Sequence, residues 1–341
     1  MISNLRRGFV RLRTCAAIVL AAVLAVGCGG SGETSSVAPP SGSAPSVERD
    51  ISPALIDPRV ERNLQAHVAI NPSPDVAAAH RLFVFLPGTE GTPDMYRLIL
   101  RSAAQHGLHA IGINYPNDEA VGTLCAPSAN PDCFWDVRRE IVTGVDATAL
   151  VGISVPDSIV TRLTMAIGYL QRNYPDEAWG QFLSGTEIDW SKVVISGHSQ
   201  GGGHAGVMTK LYTMSRACYF ASPADWSVFL DEPAAWTGRP NQTAAARQYG
   251  FTHLRDPLVP YSQLSVIWDS LGLDAFGAAR SADAGVASLG PVHMVTTNAT
   301  PADNGPSASP FHGATVLDNV TPLDAAGKPV FDPVWNYLCF E

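Results

Sequence analysis

The chain has 341 residues, of which 46 % are hydrophobic and only 16 % are charged, and its formal net charge is −9. This length and apolar content predict one large globular domain with a substantial core. Acidic residues outnumber basic ones by 31 to 22. The surplus of negative charge disfavours nucleic acid and anionic surfaces as binding partners.

The N-terminal segment has the pattern of an export signal. Four arginines precede an uncharged apolar run over residues 15–26. This run is too short to span a bilayer but suits the hydrophobic region of a signal peptide, so we predict one over residues 1–27. Its removal takes away four basic and no acidic residues, which leaves 18 against 31 and a formal charge of −13.

A cysteine follows the predicted signal. Residues 24–28, Leu-Ala-Val-Gly-Cys, resemble a bacterial lipobox, in which the cysteine is lipidated and becomes the new N-terminus. We therefore expect an anchor in the membrane of the bacterial cell envelope at Cys28. Ordinary cleavage nearby is the alternative, and it would give a periplasmic or secreted protein. Residues 28–50 are mostly Gly, Ser, Pro and Ala, which predicts a flexible tether before a domain over residues 51–341.

Four cysteines remain in the predicted domain, at Cys125, Cys133, Cys218 and Cys339. An even number in an exported chain predicts disulfide bonds. Cys125 with Cys133 is the favoured pair, because a loop of seven residues containing Pro and Asn separates them. Cys218 would then pair with Cys339. Unpaired buried thiols are the alternative.

Strand-like and helix-like segments alternate along the domain, which predicts an α/β fold with a mostly parallel sheet and helices on both faces. The predicted strands, which are apolar, β-branched or aromatic runs, are residues 67–70, 81–86, 109–115, 193–195, 217–221, 249–253 and 291–297. The predicted helices are residues 96–107, 157–170, 204–212, 261–271 and 334–338.

Residues 116–156 interrupt this alternation. A polar, Pro-rich loop with cysteines is followed by an amphipathic stretch at residues 137–142. We predict an insertion over the sheet edge that contributes to a substrate rim. Asp157 is the predicted N-cap of the helix that follows the insertion.

One motif combines a strand, a tight turn and a helix. An apolar run leads into the G-x-S-x-G sequence of residues 197–201, and a helical pattern follows. Because the two glycines permit a tight turn, we expect Ser199 in a strained conformation with its hydroxyl at the carboxyl edge of the sheet. The N–H of Gln200, at the helix N-terminus, is expected to point to where an oxyanion would form.

A serine nucleophile needs a base that takes its proton and a carboxylate that orients the base. His312 lies in a loop after the last predicted strand, from which a base can reach across the sheet edge, whereas His253 and His293 lie at the end of a strand pattern or inside one. Asp256 and Asp225 each follow a predicted strand. Asp256 is the favoured carboxylate and Asp225 the runner-up.

The chain resembles the α/β-hydrolase superfamily over residues 64–340. The resemblance rests on three features in this order: the G-x-S-x-G motif of residues 197–201, the Asp-Pro-Leu-Val-Pro sequence of residues 256–260, and His312. The resemblance implies acyl transfer to water. Ser199 would attack a carbonyl, His312 would move the proton and Asp256 would orient His312.

The resemblance also implies an oxyanion hole with two donors. One is the N–H of Gln200, and the second normally comes from the loop after an early strand. Here that loop is the Pro-Gly-Thr-Glu-Gly sequence of residues 87–91, which makes the N–H of Thr89 or Glu90 the candidate.

A carboxylic ester, acyl or lipid-like, is the expected substrate, and no cofactor is expected. The sequence contains no metal motif such as H-E-x-x-H. A peptidase or amidase that uses the same three residues is the nearest alternative. A surface-anchored binding protein that has kept the fold without turnover is a further one.

Overall fold

A mixed β-sheet forms the centre of the protein in a computed structural model, which describes residues 45–303 and 309–341. The predicted signal peptide, Cys28 and residues 28–44 of the predicted tether lie outside the described residues. The described strands are β1 (Val47–Ile51), β2 (His67–Asn71), β3 (Leu82–Leu86), β4 (His109–Gly112), β5 (Leu183–Ser184), β6 (Glu187–Ile188), β7 (Val193–His198), β8 (Arg216–Phe220), β9 (Trp226–Ser227), β10 (Glu232–Pro233), β11 (Gln248–His253), β12 (Arg280–Ser281) and β13 (Met294–Thr297). The described α-helices are α1 (Pro53–Ile56), α2 (Arg97–Gln105), α3 (Val121–Cys125), α4 (Cys133–Thr143), α5 (Ile159–Asn173), α6 (Gln200–Leu211), α7 (Tyr261–Ser270), α8 (Pro310–Gly313) and α9 (Asp332–Trp335).

In the described chain, nine strands pair in the order β1-β2-β4-β3-β7-β8-β11-β13-β12. The strands from β4 to β12 in this order are parallel, whereas β2 is antiparallel to β4 and β1 is antiparallel to β2. Two small hairpins, β5 with β6 and β9 with β10, lie outside the sheet. A sheet of this kind presents the carboxyl ends of its parallel strands at one edge, and α/β proteins bind ligands there.

Strand β3 shows that the sheet separates two hydrophobic cores. Leu82, Val84 and Leu86 belong to one core, together with side chains of α5, α6 and α7. Phe83 and Phe85 belong to the other, together with side chains of α2 and α9. All five are fully buried, and each contributes about 1.5–3 kcal/mol of hydrophobic free energy. The predicted mostly parallel sheet with helices on both faces is therefore confirmed.

The sheet begins earlier than the sequence predicts. Val47–Ile51 pairs antiparallel with β2, with Val47 opposite Asn71, so the predicted tether boundary is wrong for residues 47–50. The strand has the sequence Val-Glu-Arg-Asp-Ile, and only Ile51 is buried. A polar strand at the edge of a sheet carries no apolar run by which it could be recognised.

Ser158, rather than Asp157, is the N-cap of α5. Its hydroxyl accepts a hydrogen bond from the N–H of Thr161 at 3.3 Å. Asp157 is buried, and its carboxylate accepts hydrogen bonds from the guanidinium of Arg162 at 2.8 Å and from the N–H of Glu61 at 3.2 Å. A buried carboxylate needs such partners, and these hold the segment before β2 against α5.

Disulfide bonds join the two predicted pairs, Cys125 with Cys133 and Cys218 with Cys339. The first closes the segment between α3 and α4, and the second ties β8 to the C-terminal end of the described chain. Disulfides are typical of proteins in an oxidising, exported environment. None of the described helices has both the length and the apolar character that crossing a membrane requires.

Candidate active site

Ser199 occupies a sharp turn between β7 and α6. The strand ends at His198 and the helix begins at Gln200, so a single residue connects the two elements. The backbone of Ser199 has φ 52° and ψ −118°, a conformation that strains an L-residue by on the order of 1–3 kcal/mol. The strand, turn and helix that the motif predicts are therefore present.

Two glycines make this turn sterically feasible. A Cβ added to Gly197 would lie 2.4 Å from the carbonyl carbon of Gly201. One added to Gly201 would lie 2.0 Å from the carbonyl oxygen of Leu86 in β3. Any side chain at these positions would force the helix away from the sheet and would move Ser199 with it.

The turn opens into a cavity of about 740 Å³ at the carboxyl edge of the sheet. Its wall follows the ends of β3, β7, β8 and β11, and both Ser199 and His312 lie on it. The larger apolar residues of the wall are Met95, Tyr96, Leu258, Val259 and Leu317, and the polar ones include Thr89, Glu90, Thr123, Arg138, Gln200 and Asp225.

Asp256 and His312 form a buried hydrogen bond. Oδ2 of Asp256 lies 2.7 Å from Nδ1 of His312. Oδ1 of Asp256 accepts hydrogen bonds from the N–H groups of Leu258 at 2.8 Å and Val259 at 3.1 Å, which fix the carboxylate. Because a carboxylate accepts, Nδ1 of His312 donates, and Nε2 is left as the basic nitrogen of the neutral ring.

Asp225, the other candidate acid, is committed to a different partner. Its carboxylate forms a two-pronged ion pair with the guanidinium of Arg138, with Nε 2.6 Å from Oδ2, and accepts a further bond from the indole N–H of Trp236 at 2.7 Å. Arg138 also donates to the carbonyl oxygen of Gln200 at 2.9 Å. Asp256, and not Asp225, is therefore the carboxylate that contacts His312.

The backbone N–H groups of Thr89 and Gln200 have no hydrogen-bond acceptor among residues 45–303 and 309–341. The N–H of Glu90 is occupied, because it donates to the carbonyl oxygen of Asn117 at 3.1 Å. Of these two neighbouring residues, Thr89 therefore has the free N–H and Glu90 does not. Two unpaired N–H groups on the wall of a cavity are available to an anionic oxygen.

The two histidines near Ser199 in the sequence, His198 and His204, are both buried. His198 has both ring nitrogens hydrogen-bonded, Nδ1 to the hydroxyl of Tyr96 and Nε2 to the carbonyl oxygen of His312, each at 3.0 Å. Burial lowers the pKa of His198 to about 3. His204 packs edge-on against Tyr115, and burial lowers its pKa well below the ordinary value. Each ring is therefore neutral at neutral pH.

Arg138 is a site residue that the sequence patterns did not identify. It lies on α4, in the predicted insertion, which also supplies Ala120, Gly122 and Thr123 to the cavity wall. The sequence contains one indication that Arg138 is buried: it follows Phe134 by one helical turn and so lies on the buried side of α4. A charged side chain on an apolar stripe indicates a buried partner, but it does not say which one.

The chain can be compared with known protein families and with curated proteins. No protein-family model matches the chain, and no curated protein matches it. The geometry of the site itself therefore has to carry any assignment of function.

Proposed function

We propose that this protein is a serine hydrolase with the α/β-hydrolase fold that cleaves carboxylic esters through an acyl-enzyme intermediate. The observation that carries the proposal is the hydrogen bond between Asp256 and His312 on the cavity into which the strained turn presents Ser199. A nucleophile, a base and a carboxylate that fixes the base are the three groups that acyl transfer requires.

In the proposed mechanism, Oγ of Ser199 attacks the carbonyl carbon of the ester while Nε2 of His312 takes its proton. The N–H groups of Thr89 and Gln200 donate to the oxygen of the tetrahedral intermediate. That intermediate collapses, and the alcohol leaves with the proton from His312. A water molecule then attacks the acyl-enzyme in the same manner and releases the acid.

The residues of the cavity wall support a substrate with an uncharged, apolar acyl group. Met95 and Leu258 belong to its wall and are 38 % and 61 % exposed, so an entering molecule meets apolar surface. Glu90 is an acidic residue of the wall, and the guanidinium of Arg138 is already paired with Asp225. A negatively charged substrate would therefore find repulsion and no free cation among the described residues of the wall.

We further propose that the enzyme is exported and held at the cell-envelope membrane through a lipid on Cys28. The two disulfide bonds support export, and the lipobox-like sequence supports the anchor. Partition of the wild-type protein into the membrane fraction, and release of Cys28→Ala from it, would test the anchor. Release of both proteins would favour ordinary signal cleavage.

Hydrolysis of p-nitrophenyl esters and of p-nitroanilides with the same acyl chains tests the reaction. We expect ester turnover that falls by about 10⁴-fold or more in Ser199→Ala and His312→Gln, since each loses a group that acts in the transition state. Ser262→Ala, which changes an exposed serine on α7, is the matched control. Turnover of anilides alone would identify an amidase. A folded protein that turns over neither substrate would favour the binding protein.

A further inference from the structure

Three hydrogen bonds run from the loop after β3 to His312, which lies in the short helix α8 rather than in the predicted loop. The N–H of Gly88 donates to the hydroxyl oxygen of Tyr96 at 3.2 Å. That oxygen lies 3.0 Å from Nδ1 of His198, and Nε2 of His198 lies 3.0 Å from the carbonyl oxygen of His312. Tyr96, His198 and His312 are 1 %, 5 % and 8 % exposed, so water competes little for these bonds.

The direction of each bond follows from the groups involved. A carbonyl oxygen only accepts, so Nε2 of His198 carries the hydrogen and donates to His312. The neutral ring has one N–H, so Nδ1 is an acceptor and the hydroxyl of Tyr96 donates to it. The lone pairs of Tyr96 remain free to accept from Gly88. The three hydrogen bonds therefore have one consistent arrangement of hydrogens. Burial stabilises this arrangement, because it lowers the pKa of His198 and raises the pKa of Tyr96.

His198 contacts both sides of the site. Its ring centroid is 4.6 Å from that of His312. On the other side, a Cβ added to Gly88 would lie 3.2 Å from Nδ1 of His198 and 3.3 Å from Cβ of Ser199. Because Thr89 follows Gly88 directly, a shift of this loop also moves the N–H that we assign to the oxyanion.

We propose that His198 is a positioning residue, which fixes the backbone of His312 through Nε2 and the Gly88–Thr89 loop through Nδ1 and Tyr96. This inference rests on the proposed hydrolase function. His198 holds the base and one oxyanion donor in register with Ser199, its neighbour in the chain. A displacement of about 1 Å in such groups can lower a rate about 100-fold.

Replacing His198 by asparagine or by glutamine separates the effects of its two hydrogen bonds, one with Tyr96 and one with His312. In His198→Asn the amide reaches the position of Nδ1, so the bond from Tyr96 is kept and the bond to His312 is lost. In His198→Gln the amide reaches the position of Nε2 and can donate to the carbonyl of His312. We expect kcat for a p-nitrophenyl ester to fall about 10- to 100-fold in His198→Asn with KM unchanged, and to recover in part in His198→Gln.

Tyr96→Phe tests the connection from His198 through Tyr96 to the Gly88–Thr89 loop. It leaves the N–H of Gly88 without its acceptor, so we expect the loop with Thr89 to shift and kcat to fall about 10-fold. A thionoester places sulfur, a weak hydrogen-bond acceptor, where the ester places oxygen. Turnover of the thionoester should therefore fall less than turnover of the ester. A general loss of packing would lower both equally.

His109→Gln is the matched control, since His109 is also buried, lies away from the cavity wall and has Nε2 2.7 Å from a carbonyl oxygen, that of Glu177. Its thermal midpoint should fall as much as that of His198→Gln, while its kcat stays at the wild-type value. Wild-type kcat in folded His198→Asn and Tyr96→Phe would overturn the inference and leave the hydrolase standing. A wild-type protein that neither hydrolyses esters nor reacts with a fluorophosphonate would overturn both.

Discussion

The side-chain oxygen Oε1 of Gln200 accepts a hydrogen bond from the hydroxyl of Thr89 at 3.0 Å. The same oxygen accepts a second bond, also at 3.0 Å, from the N–H of Val121 in the predicted insertion. The residues that carry the two unpaired N–H groups are thus tied to each other by a side chain. This bond therefore constrains the separation of the two N–H groups, which are the donors of the proposed oxyanion hole.

Thr89→Val should therefore reduce activity more than stability. Valine keeps the shape of threonine but cannot donate to Gln200, so the two N–H groups lose their fixed separation. We expect kcat for a p-nitrophenyl ester to fall about 10-fold, and the free energy of unfolding to change by only about 1 kcal/mol. Thr123→Val, on the same cavity wall, is the control for the steady-state kinetics and urea unfolding. Equal losses of kcat in both variants would contradict the role of the bond.

Substitution by asparagine should lower activity at Asp256 and stability at Asp225. In Asp256→Asn the amide oxygen can still accept from Leu258 and Val259, but His312 loses its carboxylate, so we expect kcat to fall about 10⁴-fold with little change in stability. In Asp225→Asn the buried guanidinium of Arg138 loses its counter-charge, so we expect the free energy of unfolding to fall by about 3–5 kcal/mol.

Denaturant titrations and initial rates, measured on both aspartate variants, would separate the two effects. The critical comparison is kcat per folded molecule. If Asp225→Asn lost activity by the larger factor while remaining folded, Asp225 rather than Asp256 would be the functional carboxylate.

Removal of the two disulfides should also give different results. Cys218 and Cys339 are 121 residues apart in sequence, and Cys125 and Cys133 are 8 apart. The entropy that a cross-link removes from the unfolded chain grows with loop length. We therefore expect the free energy of unfolding to fall by about 5 kcal/mol when Cys218 and Cys339 are replaced by serine, and by about 2.5 kcal/mol when Cys125 and Cys133 are replaced. Calorimetry of the two double variants measures this order. A larger loss for the shorter loop would show that native-state packing, rather than loop entropy, dominates.

Asp318 should make stability depend on pH. Its carboxylate accepts hydrogen bonds from the N–H groups of Arg97 at 2.9 Å and Leu98 at 3.0 Å, at the start of α2. Burial raises its pKa from 3.8 to about 7, against the opposing effect of these bonds. Between these two values the folded protein holds a proton that the unfolded chain has released. The contribution of Asp318 to stability therefore falls as the pH rises through this range.

Urea unfolding of the wild type and of Asp318→Asn, at about pH 5 and about pH 7.5, measures this contribution. Asparagine does not titrate, so the wild type should lose stability relative to the variant on going to the higher pH. Identical pH dependence in the two proteins would contradict the raised pKa.

The sequence predicts the centre of the fold well because that centre is buried. The strands predicted from 67–70 to 291–297 are apolar runs bounded by turn residues, and each overlaps a strand of the sheet. Two are shorter than predicted, since β4 ends at Gly112 and β13 begins at Met294. The turn at Ser199 was predictable for a similar reason, since its glycines follow from steric contact within a short segment. The order of the motifs also predicts the pairing of Asp256 with His312, and the structure has this hydrogen bond.

What the sequence did not reveal depends on partners that lie far apart in the chain. Arg138 and Asp225 are 87 positions apart, and His198 and His312 are 114 apart. No local periodicity encodes such pairs. The pattern does not reveal Val47–Ile51 because its side chains are mostly polar. It favours Asp157 as the N-cap because Asp157, a residue type typical of caps, lies one position before the observed cap, Ser158.

The most direct test of the account is reaction of the purified protein, expressed without residues 1–27, with a fluorophosphonate, followed by mass spectrometry of the labelled peptide. The phosphonate forms a stable adduct only with a serine whose proton a base can take. We predict a single adduct, on Ser199, that is lost in Ser199→Ala and strongly reduced in His312→Gln. A folded protein that forms no adduct, or an adduct on another serine, would contradict the proposed hydrolase mechanism.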